Sequence, residues 1–264
     1  MPESFYVPSP EGRADLVLST PATSGPWRAD AQHGGPPAAL LGRALESLGA
    51  GSIGRVTLDL LGPVPVGPLR IEQQILRPGR SVSLREATLY DDQQRPVARA
   101  QGWVFPDHTS GPGEVGPPLE HTPADGHTQE PPPSWSRGYL DSVEWQWISG
   151  AVTEPGPAVV WMRPRLELVA GEELSPLQRL LCCVDSASGV SAALDPAAWN
   201  FLNTELTVHV LRPPEGEWVC LQARTFLGPG SVGLATSDVH DERGLVARSA
   251  QALLVVPARP EARD

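Results

Sequence analysis

The sequence predicts an α+β protein made of two copies of one unit, and three observations predict it. The first is an internal repeat. Thr57–Gln101 slides onto Thr207–Gln251 at an offset of 150 residues without a gap, placing Thr57 on Thr207, Leu61-x-Pro63 on Leu211-x-Pro213, Ser81-Val82-x-Leu84 on Ser231-Val232-x-Leu234, Asp91 on Asp241 and Gln101 on Gln251. The second is the order of elements: each copy has one stretch of helical period followed by four β-like runs. The third is the segment Pro106–Ser134, dense in Pro, Gly and acidic residues, where proline removes donors and fixes φ. It reads as an extended linker, giving a first unit at 1–108, a linker at 109–136 and a second unit at 137–264.

In the first copy, Ala14–Ser19 alternates as a strand and Trp27 sits on a second short one. A helix opens after His33-Gly34-Gly35, with Pro36 or Pro37 in its first turn, and its apolar stripe is Leu41, Leu45 and Leu48. Arg55–Leu61, Leu69–Arg77, Ser81–Tyr90 and Val97–Phe105 follow as strands. In the second copy, Val143–Ile148 and Ala158–Leu168 are strands. A helix starts with Ser175 as N-cap and Pro176 at N1, carries Leu177, Leu181 and Val184 on one face, and ends near Ser188. Thr204–Leu211, Glu217–Leu227, Ser231–His240 and Leu245–Val256 are strands parted by turn signals such as Gly228-Pro229-Gly230. A long helix followed by four antiparallel strands that wrap it is the hotdog arrangement. Two in tandem make a double hotdog, with two antiparallel sheets side by side and one long helix in each.

Composition narrows the function. The chain has 264 residues, room for two ordinary cores, and a net charge of −11 in which every cation is arginine. No basic patch is available for nucleic acid or an anionic membrane, and no lysine is available as nucleophile or Schiff base. Cys182, Cys183 and Cys220 lie in apolar runs without disulfide or metal spacing. The N-terminus lacks the pattern of a signal peptide and no apolar run reaches spanning length, so the expected compartment is the cytoplasm, without membrane insertion.

Several motifs then point to a family. His33-Gly34-Gly35-Pro36-Pro37-Ala38-Ala39-Leu40-Leu41, Asp185-Ser186-Ala187-Ser188-Gly189, Phe201-Leu202-Asn203-Thr204-Glu205-Leu206-Thr207-Val208 leading into Leu211-Arg212-Pro213-Pro214, and Ser249-Ala250-Gln251 occur in a telling order. With them the chain resembles the double-hotdog acyl-CoA thioesterases, relatives of acyl-CoA thioesterase II common in actinobacteria, over nearly its whole length outside the linker. The resemblance implies a thioester hydrolase in which an Asp, a Thr and a Gln act on a water. Asp185 and Gln251 fall on the Asp and the Gln; Asn203 stands at the Thr position, with Thr204 one step on. It implies an acyl-CoA substrate, no metal and no cofactor beyond the CoA that belongs to the substrate. Hotdog sheets pair further, so a homodimer is expected.

The residues themselves bear on those roles. Asp185 follows Leu181 by four, so it faces inward from its helix, where desolvation raises a carboxyl pKa towards that of a useful base. The offset of 150 sets Gly35 opposite Asp185, which suggests one active site per chain. His33, Gly34 and Gly35 at a helix N-terminus offer backbone N–H groups to a developing oxyanion, or form a plain loop-to-helix turn. Gln251 in an apolar strand reads as a buried amide orienting a water; its mate Gln101 allows a structural bridge at the seam instead. His209 and His240 have no repeat partners of their kind, and the eight tryptophans read as core and seam packing.

Gly228-Pro229-Gly230-Ser231-Val232-Gly233 fits G-x-G-x-x-G but joins two strands, and no G-x-S-x-G elbow exists, so neither a dinucleotide site nor a serine hydrolase is expected. Two alternatives remain: a hydratase or dehydratase of this fold, disfavoured because no His follows Asp185 before His209, and a non-catalytic acyl-CoA or lipid-binding module.

Overall fold

A computed structural model of the protein describes residues 2–106, 116–117, 119–195 and 198–258; residues 109–115 and 118 of the expected linker lie outside the described residues. The first repeat contains β1 (Ser4–Pro8), β2 (Leu16–Ser19), α1 (Gly35–Glu46), β3 (Ser52–Leu60), β4 (Pro68–Arg77), β5 (Ser83–Tyr90) and β6 (Pro96–Phe105). The second contains α2 (Gly138–Ser142), β7 (Val143–Ala151), β8 (Glu154–Pro164), β9 (Glu167–Val169), α3 (Pro176–Val184), α4 (Ala187–Val190), β10 (Trp199–Asn203), β11 (Glu205–Val210), β12 (Val219–Leu227), β13 (Val232–Asp241) and β14 (Gly244–Pro257). The strands expected after each helix are present. Trp27 lies in a bend rather than a strand, and the second helix is not one long rod: α3 stops at Asp185, its C-cap, and α4 follows.

The strands form one 14-stranded sheet rather than two. Its path runs β7-β8-β12-β13-β14-β11-β3-β6-β5-β4-β2-β1-β9, with β10 also on β14. The repeats meet where β11 pairs antiparallel with β3, and there Thr207 faces Thr57 while Val208 faces Val56. Repeat-mates facing each other place a local two-fold at the seam. Left apart, β3 and β11 would each present a row of unpaired N–H and C=O groups; pairing removes both edges. At the far end β1 runs parallel to β9. Since β8 ends at Pro164 and β9 begins at Glu167, the sheet's two ends come within about 10 Å. The sheet therefore curls around α1 and α3 together, and most buried apolar residues of both repeats merge into one core, while Ala235, Leu253 and Val255 form a small cluster of their own.

Inside this wrap α1 and α3 pack antiparallel. At one end Glu46 accepts from Ser175 (2.9 and 2.8 Å) and from Gln178 (2.8 Å). At the other, a Cβ on Gly35 would lie 2.1 Å from the Cys182 carbonyl oxygen, so only glycine admits this approach.

The offset of 150 holds for the middle strands but not for the helices or the last strand. Pro36, Leu40 and Leu41 correspond in their helix to Pro176, Leu180 and Leu181, an offset of 140, because the second repeat carries ten more residues, α4 among them, before its strands. The β13–β14 turn is also one residue shorter than the β5–β6 turn: Asp241 pairs with Gly244, whereas the Asp91 amide reaches Arg95. Every later residue of β14 is thereby displaced by one, and a slip of one exchanges faces. Gln101 faces Thr57 and Glu86, and it is Ala250 that faces Thr207 and Thr236. Gln251 is thus the counterpart of Gly102, not of Gln101, and the bridge suggested by a shared glutamine falls away. Likewise Asp185 corresponds to Leu45, not to Gly35.

The described part of the linker is packed. His127 pairs with Trp147, and the Ser136 amide donates to the Pro26 carbonyl (3.1 Å). No helix among the described residues is long and apolar enough to cross a membrane.

Candidate active site

α3 ends where α1 begins, and the site forms at that junction. Asp185 is 4% exposed and sits at the negative end of α3's dipole. Burial pushes its carboxyl up to about 6, against hydrogen bonds from Asn203, the Gly34 amide and Gln251 that pull it down. Asn203 Nδ2 donates to Oδ1 at 2.5 Å. Gln251 Nε2 donates to the Asp185 carbonyl (3.0 Å) and to Oδ1 (3.3 Å), while its Oε1 accepts from the Ser188 amide (3.1 Å). One glutamine therefore ties the end of α3 to the start of α4. A Cβ on Gly34 would stand 2.6 Å from Oδ2, so this glycine is what lets the carboxylate rest on the α1 N-terminus.

His33 Nδ1 lies 3.3 Å from Asp185 Oδ2 and accepts the Gly35 N–H at 3.0 Å. Accepting there leaves the ring proton on Nε2. Burial holds this imidazole down to about 3, so it is neutral at physiological pH, and its contact with Asp185 is not an ion pair. The ring stacks on Tyr139 of α2, 3.8 Å between centroids and 4° apart. Tyr139 in turn donates to the Cys182 carbonyl at 2.8 Å, with its hydroxyl 3.0 Å from Ser186 Oγ, bracing the end of α3.

Above the carboxylate opens a cavity of about 640 Å³, to whose wall Asp185, Asn203, Thr204, His33 and Gly34 contribute. Strand-flanking Thr204 reaches it, but its hydroxyl donates to the Ala252 carbonyl at 3.1 Å; of the two expected neighbours, Asn203 is the one on Asp185. Gln251 is fully buried behind Asp185 and is not among the described residues of that wall. The two glycine amides expected to serve an oxyanion are occupied, Gly34's by Asp185 and Gly35's by His33, and Pro36 and Pro37 have none to give. His209 and His240 lie outside this cavity.

Sequence reading missed Tyr139, placed just past a Pro-rich stretch, and missed that a His approaches Asp185 from the other repeat. It also assigned the tryptophans to packing, whereas Trp27, Trp135, Trp145 and Trp147 line the cavity. The bulky aromatics concentrated near the linker, from Trp135 to Trp147, were the available signal.

A buried carboxyl raised to about 6, beside a deep cavity at the junction of two helices, is an arrangement able to take a proton from a water. Comparison with known proteins supplies the family. The family model for the acyl-CoA thioesterase N-terminal domain matches residues 23–105, and that for the acyl-CoA thioesterase C-terminal domain matches residues 118–255. The chain belongs to the acyl-CoA thioesterase family. As a member it is an enzyme of the thioester hydrolase class.

Among solved structures, a candidate thioesterase II from Thermobifida fusca YX is similar at 20% identity and a TM-score of 0.76, over 96% of each chain. A hot dog fold protein of unknown function from Alicyclobacillus acidocaldarius is similar at 18% and 0.73, over 94% of each. A candidate thioesterase from Novosphingobium aromaticivorans DSM 12444 is similar at 18% and 0.72, over 95% of this thioesterase-family chain and 98% of that one. At such identities the likeness establishes the hot dog fold. No curated protein matches the sequence.

Proposed function

We propose that this thioesterase-family protein hydrolyses an acyl-CoA by direct attack of a water activated by Asp185. One observation carries the reading: a buried carboxylate raised to about 6, whose Oδ1 is taken by Asn203 and Gln251 while Oδ2 stays beside His33 at the cavity. At neutral pH it is ionised and still basic enough to take a proton. Water gives its proton to Oδ2 as its oxygen bonds the thioester carbon. His33 Nε2–H and the second hydrogen of Asn203 Nδ2 stabilise the oxyanion. The tetrahedral intermediate expels CoA thiolate, a good leaving group because thiols ionise readily, and Asp185 returns the proton. Gln251 acts through Asp185 and is a positioning residue. Water and side chains suffice, with no metal or redox cofactor and CoA entering only within the substrate.

The test is free-thiol release from a panel of acyl-CoAs. Asp185→Asn is expected to lower kcat by about 10³-fold while acyl-CoA still binds. In the wild type kcat rises with pH through about 6 and is level above, because the ionised carboxyl is the active form. Undiminished release in Asp185→Asn would overturn the proposal.

The His33 contact revives a hydratase reading, since an Asp and a His now lie together. An imidazole held down to about 3 with Nδ1 already accepting is a poor proton carrier, so water addition to a 2-enoyl-CoA, run in the same panel, is expected to be absent. We also retain two units at 1–108 and 137–264 and a homodimer. Adjacent exposed Phe226, Leu234 and Val232 on β12 and β13 support the dimer. Light scattering of the purified chain decides the dimer.

A further inference from the structure

The cavity is ringed by aromatic side chains beyond anything hydrolysis needs. Four of the chain's eight tryptophans line it together with Phe201. At its open side three of these rings, from three parts of the chain, meet at steep angles. Trp27 and Trp135 have centroids 4.9 Å apart at 61°, and Trp27 and Phe201 6.1 Å apart at 81°. Such edge-to-face groups present flat faces to whatever lies between them, and a further ring gains from each contact beyond its buried area. Trp27 is nonetheless 48% exposed. A large ring held by two others yet half open has a face left for a partner.

Position identifies that partner. Phe201 and Asn203 are two apart on β10 and share a face, so their backbones stand about 7 Å apart and the ring of Phe201 is the next side chain along that face from the amide that grips Asp185. An acyl-CoA carries planar rings at up to two places, the acyl group and the adenine. The pantetheine arm and diphosphate put the adenine many bonds beyond this distance. A ring bonded directly to the carbonyl falls short of it. A ring joined through roughly one to three methylenes reaches it.

We propose that Trp27, Trp135 and Phe201 form a ring-binding subsite and that the preferred acyl group is arylalkanoyl, a planar aromatic ring on a short aliphatic spacer. The inference rests on the thioesterase reading above and adds its substrate class.

The experiment compares kcat/KM for phenylacetyl-, 3-phenylpropanoyl-, octanoyl- and hexadecanoyl-CoA in wild type, Trp27→Leu and Phe201→Leu. The two aryl acyl groups are also tested as N-acetylcysteamine thioesters, which lack adenine. In parallel, quenching of tryptophan fluorescence reads binding of the same CoA thioesters to Asp185→Asn. Expected is an aryl-over-octanoyl preference of about ten-fold, the size two ring contacts supply, kept on both carriers and falling towards one in either variant. Preference for octanoyl or hexadecanoyl overturns the inference. So does an aryl preference unchanged in both variants. Equal losses for all CoA thioesters in Trp27→Leu, with none for the N-acetylcysteamine pair, would assign the subsite to adenine and overturn it too. If no thioester is cleaved, the thioesterase reading has failed; tighter binding of aryl than octanoyl thioesters would then still uphold the subsite, and equal or weaker binding would overturn it.

Discussion

Two corners of this molecule are built on one plan and filled with opposite chemistry. In each repeat the end of the helix meets the start of the first strand and the inner face of the last. In the second repeat those places hold Asp185, Asn203 and Gln251, joined by hydrogen bonds. In the first they hold Leu45, Ile53 and Gly102. A Cβ added to Gly102 would lie 3.1 Å from Leu45 Cδ1 and 3.6 Å from Ile53 Cγ2, so the same three places touch there as well. The three side-chain places of the first corner need no polar partners, and the buried Arg85 beside them is spent on the Leu45, Gly49 and Ala50 carbonyls. The polar corner buries a carboxyl whose raised pKa records the cost of desolvating it. That cost is borne in the corner beside the cavity, and the proposal of one reactive site per chain rests on this difference rather than on a glycine opposite Asp185.

The sharpest way to break this comparison is to make the first corner look like the second. Leu45→Asp would bury a charge with no Asn, Gln or glycine amide to receive it, beside an Arg85 guanidinium already committed to the Leu45, Gly49 and Ala50 carbonyls. We expect a loss of roughly 3–5 kcal/mol in urea unfolding, with release of thiol per folded molecule unchanged. A variant that folded as well as the parent would mean that the first corner has a latent polar frame.

How far the sequence revealed these corners depends on what kind of spacing each rests on. The strands were legible because period-two alternation and turn residues are local, and the seam could be anticipated from repeat-mates such as Thr57 and Thr207. The helix and last-strand pairings were not, because a gapless offset hides compensating changes in length. The clue was present: Val97-Ala98-Arg99 recurs as Val246-Ala247-Arg248 at an offset of 149, which already places Gln251 on Gly102. Asp185 and Gln251 could be singled out as polar residues in apolar surroundings. His33 reaching Asp185 from the other repeat, and Trp27 meeting Trp135, arise from long-range packing that no local pattern encodes.

A second test compares the glycines beside the two corners. Gly34→Ala puts a methyl 2.6 Å from Asp185 Oδ2, against a carboxylate held on several sides. The carboxylate must shift, and kcat is expected to fall about 10- to 100-fold, the scale of a displacement near 1 Å. Gly102→Ala is tight only against the tip of Leu45, at 3.1 Å, and meets Ile53 and the Arg55 carbonyl at ordinary contact distance. It should leave turnover unaltered and change stability by about 1 kcal/mol or less. Equal effects of the two substitutions on kcat would sink the distinction between a working corner and a filled one.

The smallest effect is one of stability, and its sign is informative. Asp185 is raised from 3.8 to about 6 on folding, so the ionised form weakens the fold. The stability tied to the protonated carboxyl is fully present below about pH 4 and is lost as pH rises through about 6. Asn at 185 keeps an oxygen for the Asn203 and Gln251 donors on Oδ1 and never ionises. Asp185→Asn should therefore be more stable than the parent by on the order of 2 kcal/mol at pH 7.5, with the gap closing as pH falls towards 4. Urea midpoints at the two pH values measure it. No comparable pH-dependent gap is expected for Leu45→Asn, because leucine does not titrate and nothing in the first corner changes charge between those values. A gap for Asp185→Asn that widened towards acid would mean that the carboxylate stabilises the second corner rather than straining it, and the contrast between the two corners would then lie in packing alone.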